Sequence, residues 1–299
     1  ASTLLQASDI YVKPGESIAD AIRQARELRR LNDPSIEGGI TIHVAAGNYR
    51  IYEPLFLRPE DSGTPSSPTI IKGEGEVIVS GGVTVTGWKR QGKLMVADVP
   101  DFCGRPLDFR QFYVNGKKAV RARDVADFED MYRIIRVDKQ KRVLWVPAAA
   151  VRKIQKAPYA EMVLHEMWCV ANLRIKDIMF AGDSAAVSFH DPESRIQFEH
   201  PWPCPMVTTD GHNSAFYLTN ARELLDVPGE WYHDIRAGKL YYYPRQGELI
   251  EEAVVPAVET LLRVEGTLDR PVRNIRIEGL TFSYSTWMRP SLKGHVPLQ

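Results

Sequence analysis

Thr69-Ile70-Ile71-Lys72-Gly73, then Val77-Ile78-Val79, then Val83-Thr84-Val85: this run of brief β-forming stretches, parted by Gly, Glu and Ser, decides how the chain folds. Strands this short give a hairpin sheet too little buried face to be stable. They suit a coil whose turns stack, each strand pairing with its equivalents above and below. The same texture lies upstream, where Ile40-Thr41-Ile42-His43-Val44 enters the turn Ala46-Gly47-Asn48 and Leu55-Phe56-Leu57 precedes a loop over 59–68. Downstream, a triplet of β-branched residue, charged residue and glycine recurs as Ile71-Lys72-Gly73, Val264-Glu265-Gly266 and Ile277-Glu278-Gly279. Glycine after a short strand permits the bend that a coil needs at its corner.

One amphipathic helix stands before these strands. Ser17 and Asp20 have the spacing of a capping box, and Ile18, Ala21, Ile22, Ala25 and Leu28 follow at helical spacing. The spacing predicts a helix over 16–31, ended by Asn32-Asp33-Pro34. Between Trp88 and about Val258 the pattern changes. Phe112-Tyr113-Val114-Asn115-Gly116-Lys117-Lys118 reads as a hairpin with an Asn-Gly turn, and a second hairpin joins Trp231-Tyr232-His233-Asp234 to Leu240-Tyr241-Tyr242-Tyr243. Leu173-Arg174-Ile175-Lys176-Asp177-Ile178 alternates as a strand with one wet face. The expected architecture is therefore mainly β. A helix and the first rungs of a parallel β-helix occupy 1–87, an antiparallel sandwich- or barrel-like insertion occupies 88–258, and further rungs occupy 259–299. The helix can close one end of such a stack. Nothing after Thr281-Phe282 can close the other, so the stack is expected to leave an apolar rung exposed, or to continue beyond Gln299 or in another chain.

Composition narrows the function. Lys plus Arg and Asp plus Glu are 38 each, a net charge of zero that argues against a nucleic-acid binder. The richest basic stretch, 117–156, is interleaved with Asp124, Asp127, Asp130 and Asp138, and we read it as a solvated face in preference to a polyanion site. The sequence has no apolar run of membrane-spanning length. Cys103, Cys169 and Cys204 lack the spacing of a disulfide framework or zinc site, and His190, His200, His212 and His233 match no ligand pattern, so neither metal nor cofactor is expected. The start, Ala1-Ser2-Thr3, is compatible with a removed signal peptide or with none.

Several segments carry a resemblance: Tyr11-Val12-Lys13-Pro14-Gly15, residues 112–123, 161–178 and 231–244, and Asn274-Ile275-Arg276-Ile277-Glu278-Gly279-Leu280-Thr281-Phe282 continued by Thr286-Trp287-Met288-Arg289-Pro290. They resemble bacterial proteins of the pectin-lyase-like superfamily, above all those in glycoside hydrolase families 141 and 120. The resemblance implies a right-handed parallel β-helix, a secreted or periplasmic location, and hydrolysis of a complex, plant-type polysaccharide or oligosaccharide. It also implies that the catalytic carboxylates lie beyond this segment, which alone would then be inactive.

Within the sequence, Glu166 and Asp183 are the local candidates for catalytic carboxyls, since both sit among polar and aromatic residues near strand ends. The plainer and favoured reading makes Glu166 a strand-end surface charge and Asp183 a turn former in Gly182-Asp183-Ser184. Sugar binding has better candidates, because aromatic faces stack on sugar rings while convergent polar groups fix hydroxyls. His165 and Trp168 form one cluster, and Trp287, Arg289 and His295 form another. We expect the two to line one wall of a carbohydrate groove; packing of Trp168 and Trp287 between insertion and coil is the equal alternative. His200-Pro201-Trp202-Pro203-Cys204-Pro205 reads as a stiff clamp against the coil rather than a substrate-facing loop. Two rival functions share the scaffold: a polysaccharide lyase, for which no Asp-rich rung is visible, and a non-catalytic carbohydrate-binding protein.

Overall fold

The computed structural model describes residues 7–288 and the backbone of 295–297. Strand accounts for 42% of the described residues and helix for 14%, so the protein is mainly β. It divides into two compact units, one formed by 1–83 with 254–286 and the other by 84–253 with 287–299.

The first unit is built on a four-stranded sheet in the order Ser8–Val12, Ile40–Arg50, Thr69–Ser80, Ile275–Ser283, with every neighbouring pair parallel. Parallel pairing of strands far apart in sequence requires crossovers, and the helix Ile18–Arg30 is part of the first. Ser17 Oγ accepts from Asp20 N at 3.1 Å. Asp20 turns its carboxylate to Arg23 rather than back to the cap, so only half of the expected capping box is used. Ile18, Ala21, Ile22 and Ala25 pack on Ile10, Val12, Ile40, Ile42, Val44, Ile71, Val77 and Val79. On the helix flank, Arg26 Nε and Nη2 each donate to the buried Asp61 at 2.9 Å.

Two of the sequence triplets are stacked in register, Ile71 beside Ile277 and Lys72 beside Glu278. The third is not in that ladder, because Leu262–Val264 pairs in parallel with Leu55–Leu57 instead. The strands are longer than their sequence suggests. Ile40–Arg50 and Thr69–Ser80 run on through register shifts at Gly47 (φ 156°) and Gly75 (φ 88°), so the expected turn at Ala46-Gly47-Asn48 and corner at Gly73 do not end the ladder. At the shift in the last pairing, a β-carbon on Gly73 would lie 2.2 Å from the Gly279 carbonyl oxygen. Gly73→Ala is therefore expected to cost about 1–3 kcal/mol in urea unfolding, the usual range for overpacking. A loss below about 0.5 kcal/mol would show that the neighbouring strand yields freely.

The second unit is antiparallel almost throughout. Its larger sheet runs Tyr132–Arg133, Ala215–Thr219, Glu161–His165, Cys169–Ala181, Ser184–Phe189, Val143–Pro147, Arg136–Asp138, and His295–Pro297 adds alongside Cys169–Ala181. Alternation sorts the side chains. Met162, Leu164, Ala171, Leu173, Phe216 and Leu218 enter the core, which leaves Glu161, Val163, His165, Asn172, Tyr217 and Thr219 on the opposite face. A smaller sheet contains Val120–Arg121, Glu230–Asp234, Lys239–Tyr242, Leu94–Asp98 and Lys89–Gln91. Both expected hairpins are present, and Asn115 (φ 49°) and Gly116 (φ 72°) take the left-handed conformations that a type I′ turn demands. Val85 N donates to Ala253 O at 2.8 Å, so the two ends of the segment 84–253 touch.

Candidate functional site

The polar face of the larger sheet in the second unit carries a depression of about 460 Å³. Val163, Asn172, Tyr217 and Thr219 form its floor, and Arg110, Arg121, Arg123, Lys118 and Trp287 its walls. Each wall residue is placed by local packing. Arg110 stands between the buried Phe109 and Phe112, whose rings pack on Trp231. Arg121 and Arg123 flank the buried Ala122, and extended geometry turns both to the same side. Ala122 is tied down at both polar atoms, donating to Trp231 O at 2.9 Å and accepting from Thr219 Oγ1 at 2.8 Å.

Glu161, 5% exposed, is the electrostatic keystone. Arg110 Nη1 and Nη2 donate to its two oxygens at 2.9 and 2.7 Å, and Arg121 Nη1 donates at 3.1 Å. Burial works against ionisation of Glu161, but Arg121 and Arg110 outweigh it and hold the carboxyl below the usual range. Arg110 also lies under Trp287, its Cζ 5.5 Å from the ring centroid, and Arg123 Cζ lies 6.0 Å from the Tyr217 centroid.

The predicted residues fall around this depression unevenly. His165 lies one position further along the sheet face, its ring 6.1 Å from Tyr217 and 5.4 Å from Phe128. Burial lowers its pKa, and its Nε2 is buried without a hydrogen-bond partner. Trp287, 37% exposed, lines the depression directly. Trp168 does not line it. It occupies the turn after His165 and meets Trp202 edge-on at 4.7 Å, which places the proline-rich segment against Trp168. These two tryptophans, 53% and 42% exposed, form a separate aromatic surface. Arg289 lies outside the described residues. His295 is described by its backbone alone, paired with Ala171.

Glu166 and Asp183 are not brought together. They sit beyond opposite ends of the Cys169–Ala181 strand, on the order of 40 Å apart along it, far outside the roughly 5–9.5 Å of a glycosidase pair. Asp183 is exposed in a turn after Gly182 (φ 64°), and its carbonyl accepts from Ala148 N at 2.8 Å. Glu166 is chemically distinctive. Burial pushes its pKa up to about 7 against hydrogen bonds from Cys169 Sγ (2.8 Å) and Gln197 Nε2. A carboxyl that keeps its proton near neutrality has the property of a general acid. Glu193 and Glu199, on the neighbouring helix, are committed to Arg174 and to Arg142 and Arg195. The described residues contain no group of three or more His, Cys, Asp and Glu that could hold a metal ion, and no helix long and apolar enough to cross a membrane.

Sequence reasoning missed Arg110, Arg121, Arg123, Glu161 and Tyr217. The reading of 117–156 as a solvated face needs correction at its start, where Lys118, Arg121 and Arg123 border a concavity. The usable signal was Arg121-Ala122-Arg123, two cations on one side of a small apolar residue. Comparison with known proteins agrees with this part of the chain. The sequence model described as the GH141 insertion domain matches residues 92–245, more than half of the chain. The chain belongs to family GH141. A solved structure titled "Glycoside hydrolase" is 61% identical and superposes with a TM-score of 0.92. The match covers 98% of this GH141 chain and 53% of that one, so the chain spans about half the length of its relative. No curated protein matches. The arginine-walled depression lies within the GH141 insertion domain, apart from Trp287, which comes from the following segment.

Proposed function

We propose that this chain is part of a secreted or periplasmic glycoside hydrolase acting on a complex, plant-type polysaccharide. The observation that carries the reading is the 61% identity to a structure of that title, sustained over 98% of this chain. In this reading the four-stranded parallel sheet and the Leu55–Leu57 and Leu262–Val264 pair are turns of a right-handed parallel β-helix of the pectin-lyase-like kind. The insertion domain presents aromatic and polar groups to the glycan through His165, Tyr217 and Trp287, with Trp168 and Trp202 as a second platform.

The catalytic pair lies outside the described site. Glu161 opens the strand Glu161–His165 and Glu166 follows its last residue, roughly 16 Å away, and Glu161 is locked by two arginines. Two carboxyls that share one glycosidic bond stand much closer. The test is chemical. Complex plant polysaccharides treated with the full-length protein should gain reducing ends with no unsaturated, ultraviolet-absorbing product. An unsaturated product would replace the hydrolase by a lyase. Retention of polymer with neither product would replace it by a binding protein.

A further inference from the structure

We propose that the depression bounded by Arg110, Arg123, Lys118, Tyr217 and Trp287 is a subsite for an acidic sugar, and that it holds the carboxylate of a hexuronate residue. The inference rests on the glycan-directed reading above and adds the charge of the ligand.

Three observations converge on it. First, the cations are unequally satisfied. Glu161 takes up Arg110 and Arg121, whereas neither Arg123 nor Lys118 has a carboxylate ion pair among the described residues. Positive groups gathered in a concavity focus potential on whatever enters it, and the favoured entrant is an anion. Second, Arg121 Nε is buried with no hydrogen-bond partner. A buried donor without an acceptor is costly, and an oxygen-rich ligand could relieve the cost directly or through water. Third, the site is walled by rings as well as charges. Trp287 and Tyr217 each face a guanidinium, Arg110 and Arg123 respectively.

A free inorganic anion uses the charges and wastes the rings, and a neutral sugar uses the rings and wastes the charges. A uronosyl residue uses both. Its carboxylate matches the fork of an arginine, its C–H face can lie on an aromatic ring, and its hydroxyls reach Asn172 and Thr219 on the floor.

The test is calorimetric binding to the full-length protein. The probes are galacturonate and glucuronate oligosaccharides, their methyl esters, neutral xylo- and galacto-oligosaccharides, a sulfated oligosaccharide and inorganic sulfate. The uronides should bind, weaken with added salt, and lose about tenfold or more in affinity on esterification, about 1.4 kcal/mol. Arg123→Gln and Lys118→Met should each erase most of the acid-over-ester preference with thermal unfolding unchanged, and Trp287→Ala should weaken acid and ester alike. Equal binding of acid and ester, or no uronide binding, overturns the inference. If neutral oligosaccharides still bind or polysaccharide is still hydrolysed, the glycosidase reading survives that failure; if neither occurs, both fall. Inorganic sulfate binding as tightly as the uronide reduces the site to an anion site and overturns the sugar. Preference for the sulfated probe overturns the carboxylate.

Discussion

Glu161→Gln is expected to destabilise the protein by about 3–5 kcal/mol in urea unfolding, the cost of leaving a buried charge pair with one side missing. The substitution keeps shape and removes charge. Arg110 donates to both oxygens and Arg121 to one, so the neutral amide would confront two guanidinium groups that cannot shed their protons. The wild-type carboxyl is held below the usual glutamate range, so it carries fewer protons folded than unfolded. Its stabilisation is present above the ordinary glutamate pKa and is lost as pH falls through the lowered one. The variant should therefore lose stability at neutral pH and lack part of the wild-type acid transition. A loss under about 1 kcal/mol would mean that water already screens the cluster.

Glu166, just past the end of the strand that Glu161 opens, should behave in the opposite sense. Glu166 keeps its proton up to about pH 7 in the folded protein, against 4.5 for an ordinary glutamate. Between those values the folded state binds the extra proton, so stability falls as pH rises through that window. The full effect is about 3 kcal/mol by the usual conversion, trimmed by whatever water reaches this half-buried carboxyl. Glu166→Gln removes the titration and can still accept from Gln197. Its melting temperature should match wild type near pH 4 and exceed it above pH 7, with a flatter profile between. A wild-type profile that does not fall between pH 4.5 and 7 would remove Glu166 as a proton-holding group, and with it any role as a general acid.

The sequence carried local pairings well and distant ones poorly. Asn115-Gly116 announces its hairpin because few other residues take two successive left-handed conformations. Ile71-Lys72-Gly73 and Ile277-Glu278-Gly279 could be matched because stacked parallel strands repeat their side-chain types. Strand lengths were underestimated because Ala46-Gly47-Asn48 reads as a turn and Gly73 as a corner, whereas the ladder passes through both with a register shift. His165 and Trp287 were singled out from their chemistry. Their surroundings were not, because Arg110 and Glu161 are 51 residues apart and no pattern in either segment names its partner. The raised pKa of Glu166 comes from burial, opposed by a hydrogen bond from Gln197, which arrives from a helix 31 residues downstream. Read alone, Glu166 has the look of an ordinary surface charge.

The hydrogen bond from Val85 to Ala253 has an evolutionary and practical corollary. A stretch of polypeptide that leaves and returns through a single doorway asks almost nothing of the host that carries it, since closing a loop grows costlier only with the logarithm of its length. Such a module can be gained, exchanged between relatives or excised and bridged by a tight turn without the host being redrawn. On the proposed reading, the sugar contacts could thus be traded as a cassette while the frame that bears them is inherited unchanged.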